Sequence, residues 1–185
     1  MAKVVQCQTF DGRRVEFIDE VIGSGAMKDV YFSPDKSYVV CFFSKEKNKF
    51  YDSPAEFERQ KDRLKEIVGN KWQGIFQGVG GDYWKNLFCW PDALLEHNGL
   101  LGITAPTYQK QFFFAVGSKN NDFLGIKGKE KEGKWFASAN NQNRFLDDSE
   151  KGTWLNYLKI CLLIARAVRR MHAAGLAHSD LSYKN

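Results

Sequence analysis

The chain has 185 residues, of which 43% are hydrophobic and 26% are charged, and its formal net charge at pH 7 is +5. This composition is typical of a soluble globular domain that buries a core, and a basic excess of this size most often serves solubility. No apolar run is long enough to span a bilayer, and the N-terminus lacks the apolar core and cleavage site of a signal peptide. We therefore expect neither a membrane-spanning nor a secreted protein.

The four cysteines are scattered and include no C-x-x-C pair; they are Cys7, Cys41, Cys89 and Cys161. This spacing fits neither a zinc site nor a disulfide framework. Reduced thiols in a cytoplasmic protein are the expectation that follows.

An alternation of apolar and polar residues predicts a β-hairpin over residues 3–18, with Asp11-Gly12 as a two-residue turn. A strand over residues 17–22 then leads into a glycine-rich segment, and two more strands are predicted at 30–33 and 38–43. The chain therefore begins with a series of antiparallel strands.

The glycine-rich segment reads Gly23-Ser24-Gly25-Ala26-Met27-Lys28. β-branched and aromatic residues follow it, so it does not open a helix as the glycine loops of Rossmann and P-loop folds do. Between two antiparallel strands it forms a flap whose backbone N–H groups can lie over nucleotide phosphates. The alternative is an ordinary hairpin with a glycine turn.

A helix is predicted to begin at Ser53-Pro54 and to end at Gly69-Asn70. Beyond an aromatic-rich segment that the pattern does not assign, two strands are expected at 89–96 and 100–108, joined by a turn at 97–99. Residues 112–150 are polar and predict loops. Within them, residues 127–134 carry alternating charge between glycines and predict a solvated, mobile loop.

An apolar helix is predicted over residues 153–173, and its apolar face is wide enough to be buried on more than one side. A glycine turn ends this helix, and the motif His178-x-Asp180-x-x-x-x-Asn185 follows. This is the spacing of a protein-kinase catalytic loop, in which the Asp accepts the proton of the substrate hydroxyl and the Asn holds a magnesium ion.

The glycine segment, the apolar helix and this motif together resemble the eukaryotic-like (Hanks-type) protein kinases. The resemblance implies an α+β fold, with an N-terminal lobe at 1–108 that holds a five-stranded antiparallel sheet and one helix. It implies a hinge and polar insert at 109–152 and the start of a helical C-terminal lobe, here incomplete, at 153–185. It also implies ATP and Mg²⁺ as cofactors, Asp180 as catalytic base and Asn185 as metal ligand.

One departure from the family concerns the lysine that normally stands in the third strand and holds the α- and β-phosphates. That strand here contains Cys41 and no lysine, whereas Lys28 takes the third glycine position of the glycine segment. The pattern is similar to the with-no-lysine kinases, which implies that Lys28 supplies the missing charge. The alternative is that Lys28 is a solvated loop residue.

The resemblance further implies a set of nucleotide-binding residues: Gly23, Ser24, Gly25, Lys28, Val30 and Glu58. Glu58 is the helix residue expected to pair with the relocated lysine, and Glu56 and Gln60 are the other candidates. Lys184 matches a position where tyrosine kinases carry an Arg that neutralises the γ-phosphate, so it joins Asp180 and Lys28 in the expected catalytic set. Ser179 replaces the family's Arg, which implies activity that is not gated by a phosphorylated activation loop.

The function that the resemblance implies is a cytoplasmic, ATP-dependent Ser/Thr protein kinase that acts on a protein substrate and binds neither nucleic acid nor membrane. The sequence stops before an Asp-Phe-Gly metal site, so we expect a fragment with little or no activity alone. We also expect self-association through the uncovered 153–173 helix. Two alternatives stay open: a small-molecule phosphotransferase of the same fold, and a pseudokinase or interaction module that binds nucleotide.

Overall fold

The computed structural model describes residues 3–178 and 181, and the chain divides into two compact units, the first ending at Thr107 and the second beginning at Tyr108. The strands, all in the first unit, are β1 (Val4–Gln8), β2 (Arg14–Ile18), β3 (Gly23–Ser24), β4 (Lys28–Phe32), β5 (Tyr38–Phe43), β6 (Ala93–His97) and β7 (Leu100–Pro106). Its helices are α1 (Pro54–Glu66), α2 (Trp72–Phe76) and α3 (Gly81–Lys85), with a π-helical turn at Ile67–Lys71. The second unit contains α4 (Lys119–Asp122), α5 (Lys134–Ala137), α6 (Ala139–Phe145) and α7 (Trp154–Ala173).

Five strands form an antiparallel sheet in the order β3-β4-β5-β7-β6, which confirms the predicted α+β class and the five-stranded antiparallel sheet. β6 and β7 are joined by Asn98-Gly99, whose φ angles of 51° and 71° suit the two-residue turn of a twisted hairpin. The predicted strand at 89–96 begins later, at Ala93. Pro91 explains the delay, because it has no N–H to donate to a neighbouring strand.

The N-terminal hairpin forms a separate two-stranded sheet in which Val5 pairs with Phe17. The predicted strand over 17–22 is therefore wrong: Phe17 belongs to the hairpin, and the strand before the turn, β3, consists only of Gly23–Ser24, the first two residues of the glycine segment. The predicted two-residue turn is also wrong. The loop spans residues 9–13, because Thr9 N donates to Arg13 O at 2.9 Å and closes the loop before Asp11 is reached.

The hairpin covers one face of the five-stranded sheet. Its side chains share a buried cluster with two strands of that sheet, β5 and β6; the members are Val15, Phe17, Val40, Phe42 and Leu95. Phe17 and Phe42 meet edge to face, with ring centroids 5.3 Å apart. Burial of this many large side chains supplies most of the stability of such a layer.

Helix α1 covers the opposite face of the five-stranded sheet. Leu64 of α1 is buried there with residues of three strands, β5, β6 and β7, and Phe57 and Ile67 pack beside it; the strand residues are Cys41, Phe43, Leu94, Leu101 and Ile103. Gly69-Asn70 does not end the helix as predicted, because the chain continues through the π-helical turn into α2. Residues 3–107 contain α1, α2 and α3, so the single helix predicted for this part is wrong.

The polar segment of the second unit is organised around the Asp122 carboxylate. It accepts hydrogen bonds from Ser118 N at 2.9 Å, Ile126 N at 3.0 Å and Lys127 N at 2.9 Å. Asn120 and Asn121 have left-handed dihedral angles, which asparagine tolerates better than most residues. These bonds give the predicted loop segment a defined conformation, and residues 127–134 are tied to it, since Gly128 N donates to Phe114 O at 2.8 Å.

Replacing Asp122 with asparagine tests this arrangement. The hydrogen bonds from the backbone of Ser118 and then Lys127 hold the pKa of Asp122 at about 2. Because this pKa lies below the unfolded value of about 3.9, the carboxylate's contribution is complete well above pH 4 and is lost as the pH falls towards 2. We expect several-fold faster hydrogen exchange at residues 118–127 in Asp122→Asn at pH 7, and the same in the wild type near pH 2 after correction for intrinsic rates. Unchanged exchange in both cases would contradict the assignment.

Helix α7 closely matches the predicted helix, and Thr153 caps it by accepting from Asn156 N at 3.2 Å. Among the described residues α7 has no buried residue, and Trp154, Leu158 and Leu162 are 68%, 48% and 58% exposed, so its apolar face is uncovered, as expected for this chain, and is not buried on more than one side. Self-association through this face stays a prediction. Across residues 3–178 and 181, no helix combines the length and apolar character needed to cross a membrane.

Candidate nucleotide-binding turn

The structure describes six of the predicted site residues: Gly23, Ser24, Gly25, Lys28, Val30 and Glu58. The other three, Asp180, Lys184 and Asn185, lie outside the described residues. The geometry of the site is therefore that of the glycine turn (residues 23–28), of the strands on either side of it and of helix α1.

The glycine turn connects β3 to β4 as a tight reversal. Gly23 pairs with Val30 and Ser24 with Asp29, and Gly25 N donates to Lys28 O at 2.9 Å. Backbone N–H groups of such a turn are available to acceptors on a ligand when no strand pairs with the outer edge. β3 is the terminal strand of its sheet, so its outer edge has no partner strand among the described residues.

The two glycines are not required by the fold itself. Neither Gly23 nor Gly25 has a positive φ. A Cβ at Gly23 would meet no atom within 4 Å, and one at Gly25 would meet only Lys28 O, at 3.9 Å. Neither turn geometry nor packing therefore explains the glycines, whereas a ligand that approaches the backbone would.

Lys28 lies on the face of the sheet that α1 covers. The register pairs Lys28 with Phe43 and Val30 with Cys41, and side chains two residues apart on a strand share a face. Lys28 Nζ is 5.7 Å from the centroid of the Phe43 ring. Lys28 therefore shares a face with Cys41, which lies in the strand where the family resemblance led us to expect a lysine.

The charge of Lys28 has no carboxylate partner among the described ion pairs, although the side chain is half-buried. Asp29 follows it in sequence but belongs to the opposite face, and it pairs with Lys47 at 3.0 Å. A half-buried cation that lacks a counter-ion favours binding of an anion.

Helix α1 does not bring Glu58 to this cation. Glu58 pairs with Lys61 at 3.4 Å, and its side chain is 59% exposed. Gln60 is half-buried, as are Phe57 and the neighbouring Lys61, so Gln60 lies on the covered side of the helix. The expected pairing of Glu58 with Lys28 is thus not seen, because the apolar stripe of α1 turns Glu58 towards solvent.

Two thiols lie within the electrostatic reach of Lys28. Burial raises the pKa of Cys41, and the Lys28 ammonium partly offsets that rise. Burial also raises the pKa of Cys89, again against the effect of Lys28. Cys89 Sγ donates to Pro106 O at 3.2 Å. Both thiols are therefore protonated near neutral pH, and neither of them compensates the positive charge of Lys28.

A cavity of about 440 Å³ lies on the other face of the sheet, between the hairpin and the strands. Rings from both layers line it, namely Phe17, Tyr31, Phe42 and His97. Sequence analysis missed this cavity because it depends on how the hairpin folds over the sheet. It does not include Lys28 or the glycines, so it belongs to a different surface from the candidate site.

Comparison of the chain with protein-family models, with curated proteins and with solved structures finds no match. Within residues 3–178 and 181, no group of three His, Cys, Asp or Glu side chains could hold a metal ion. Any assignment of function therefore rests on the glycine turn and Lys28, and on the resemblance of the terminal motif.

Proposed function

We propose that this chain is the N-terminal part of an ATP- and Mg²⁺-dependent protein kinase, of the Ser/Thr kind and cytoplasmic, and that the glycine turn binds the phosphates of ATP. The observation that carries the proposal is the position of Lys28. It is a half-buried cation without a carboxylate partner in the described part of the chain, and it shares a face with Cys41. An ATP phosphate is an anion that would satisfy it.

The glycines give the proposal independent support. Because neither Gly23 nor Gly25 is needed for the fold, their lack of side chains is best explained by a ligand close to the backbone. Val30 lies one pair further along the sheet from the turn and would contact the ligand's apolar part.

The proposed reaction transfers the γ-phosphoryl group of ATP to a hydroxyl group of a protein. The hydroxyl oxygen bonds the γ-phosphorus while the bond to the β-phosphate oxygen of ADP breaks, and Asp180 takes the hydroxyl proton. Asn185 would hold Mg²⁺, which would offset phosphate charge, and Lys28 and Lys184 would neutralise the remainder. These roles for Asp180, Lys184 and Asn185 rest on the resemblance of the terminal motif alone.

Replacing Lys28 with methionine tests the proposal. We expect binding of ATP with Mg²⁺, measured by titration calorimetry, to weaken by about tenfold or more, because a charge-assisted contact to phosphate is lost. Binding of adenosine, which has no phosphate, should be unchanged. Lys36→Met is the matched control, since Lys36 lies beyond the other end of β4, in the turn to β5, and its Nζ is 5.6 Å from the centroid of the Phe32 ring. A wild-type chain that does not bind ATP, or a Lys28→Met chain that binds it equally well, would overturn the proposal.

A nucleotide-binding protein without catalytic activity is the second candidate. The observation that favours it is the exposed position of Glu58, because active kinases pair a helix glutamate with the phosphate-binding lysine. A phosphate-transfer assay with labelled ATP separates the two functions when it is made on a longer chain that includes an Asp-Phe-Gly metal site, because residues 1–185 are expected to have little or no activity alone. Turnover supports the kinase, and binding without turnover supports the second candidate.

A further inference from the structure

A second polar cluster ties the glycine turn to residues 44–48, which follow β5. Lys47 Nζ lies 2.6 Å from Ser24 Oγ and 3.0 Å from Asp29 Oδ1, and Ser24 Oγ donates to Asp29 Oδ1 at 2.6 Å. Ser24 and Asp29 are direct partners on β3 and β4. One ammonium group therefore holds both strands of the turn.

Asn48 holds the tip of the turn from the same segment. Its Nδ2 donates to Met27 O and to Ser44 O, each at 2.7 Å, and the residue is 5% exposed. Both acceptors are carbonyl oxygens, so the amide must present its NH₂ group, and both hydrogens are used. Ser44 N also donates to Met27 O, at 3.1 Å. The carbonyl next to Lys28 is thus fixed by two donors.

We propose that Lys47 and Asn48 are positioning residues that hold the glycine turn in the conformation that receives phosphate and hold Lys28 in place for it. This inference rests on the proposed function. The four side chains Ser24, Asp29, Lys47 and Asn48 are called the turn latch below. A binding loop held in its bound conformation loses less entropy when the ligand arrives, so Lys47 and Asn48 improve affinity without touching the ligand.

The latch also separates charges across the sheet. Asp29 belongs to the opposite face from Lys28, and hydrogen bonds from Ser24 and then Lys47 lower the pKa of its carboxyl group. A carboxylate already engaged by Lys47 does not compete with phosphate for Lys28. The phosphate would therefore meet the full charge of Lys28.

Global stability alone does not explain the latch. A partly exposed ion pair such as Lys47–Asp29 contributes about 0–1 kcal/mol to folding. Its loss is therefore expected to leave the folded sheet intact and to act on the turn alone. This makes local and functional readouts separable from unfolding.

The test compares Lys47→Met, Lys47→Arg and Asn48→Ala with the wild type, and uses Lys49→Met, an exposed neighbouring lysine, as control. We expect Lys47→Met and Asn48→Ala to speed hydrogen exchange at residues 23–28 and to weaken binding of ATP with Mg²⁺ by about fivefold. Adenosine affinity should not change, because adenosine has no phosphate for the turn to meet. Lys47→Arg should restore most of the ATP affinity, and Lys49→Met should match the wild type.

Several outcomes would overturn the inference. Unchanged exchange at residues 23–28 in both latch variants would show that the latch does not hold the turn. Faster exchange with unchanged ATP affinity, or equal weakening of ATP and adenosine, would show a structural role only. If the wild type binds no ATP, the proposed function fails and the positioning role fails with it. That failure is distinguishable, because the exchange measurement needs no nucleotide.

Discussion

Replacing Glu150 with alanine is expected to lower the free energy of unfolding of the second unit by about 3 kcal/mol. The Glu150 side chain is 4% exposed, and its carboxylate accepts from Val116 N at 2.6 Å and Gly117 N at 3.3 Å. Lys131 Nζ pairs with it at 2.9 Å. Alanine would leave a partly buried ammonium and two N–H groups without their acceptor, which costs more than the pair itself is worth.

Chemical denaturation followed by circular dichroism measures this loss. Asp148→Ala is the matched control, because Asp148 lies only two residues before Glu150 in sequence and also forms an ion pair, with Lys151. Unlike Glu150, the Asp148 side chain is 88% exposed. The control should change the free energy of unfolding by less than about 0.5 kcal/mol. A loss below about 1 kcal/mol in Glu150→Ala would contradict the role assigned to the buried carboxylate.

The same carboxylate predicts a pH dependence. Burial raises the pKa of Glu150, but the N–H of Val116, the Lys131 ammonium and the N–H of Gly117 together lower it by more than burial raises it. The pKa of Glu150 therefore lies below its usual value. Its stabilising contribution is therefore present above the unfolded pKa of about 4.3 and is lost as the pH falls through the folded value. Glu150→Gln should flatten the dependence of stability on pH in that acidic range.

Replacing Gly102 with alanine is expected to destabilise the first unit by about 2 kcal/mol. A Cβ at this position would lie 2.7 Å from Phe42 Cδ1 and 3.3 Å from Cys41 O. Phe42 is 4% exposed and is packed against Phe17 and Tyr31, so its ring cannot move aside without disturbing the core under the hairpin.

Gly25→Ala provides the comparison on the same sheet. Its added methyl group meets nothing closer than 3.9 Å, so stability should be unchanged or should rise by about 0.5 kcal/mol through a less flexible unfolded chain. Thermal unfolding of the two variants measures the contrast. Equal melting temperatures would show that the Phe42 contact is not restrictive, and a large loss in Gly25→Ala would show that the fold needs that glycine.

Local patterns were sufficient to predict four strands of the sheet, β4 to β7, whereas the number of five strands was implied by the family resemblance. Strand alternation and the Asn98-Gly99 turn are encoded in neighbouring residues, and both are found where expected. The strand predicted over 17–22 was wrong because Phe17 alternates equally well with the hairpin and with the sheet, and only its place in β2, packed against Phe42, decides between them. Alternation does not encode which layer a strand joins.

Only the part of the candidate site that is contiguous in sequence was predicted, because local patterns do not encode contacts between distant residues. Lys28 and its glycines form a contiguous pattern, whereas Asn48 contacts Met27, a residue 21 positions away. Nothing in the charged segment around Asn48 indicated that contact. Glu150 was missed similarly, because its acceptor role depends on N–H groups 33 and 34 residues away. A polar residue buried by distant partners leaves no periodic signal.

The π-helical turn Ile67–Lys71 joins α1 to α2 without a break, and it changes the direction in which the apolar side chains of the two helices face. A π-helical turn holds one residue more than a regular turn, which rotates every later side chain by about 100° around the axis. Upstream of it, Leu64 is buried against the sheet, whereas Phe76 downstream packs against Phe88 and Trp90. A single helical segment can thereby serve two separate apolar surfaces without a break in the chain.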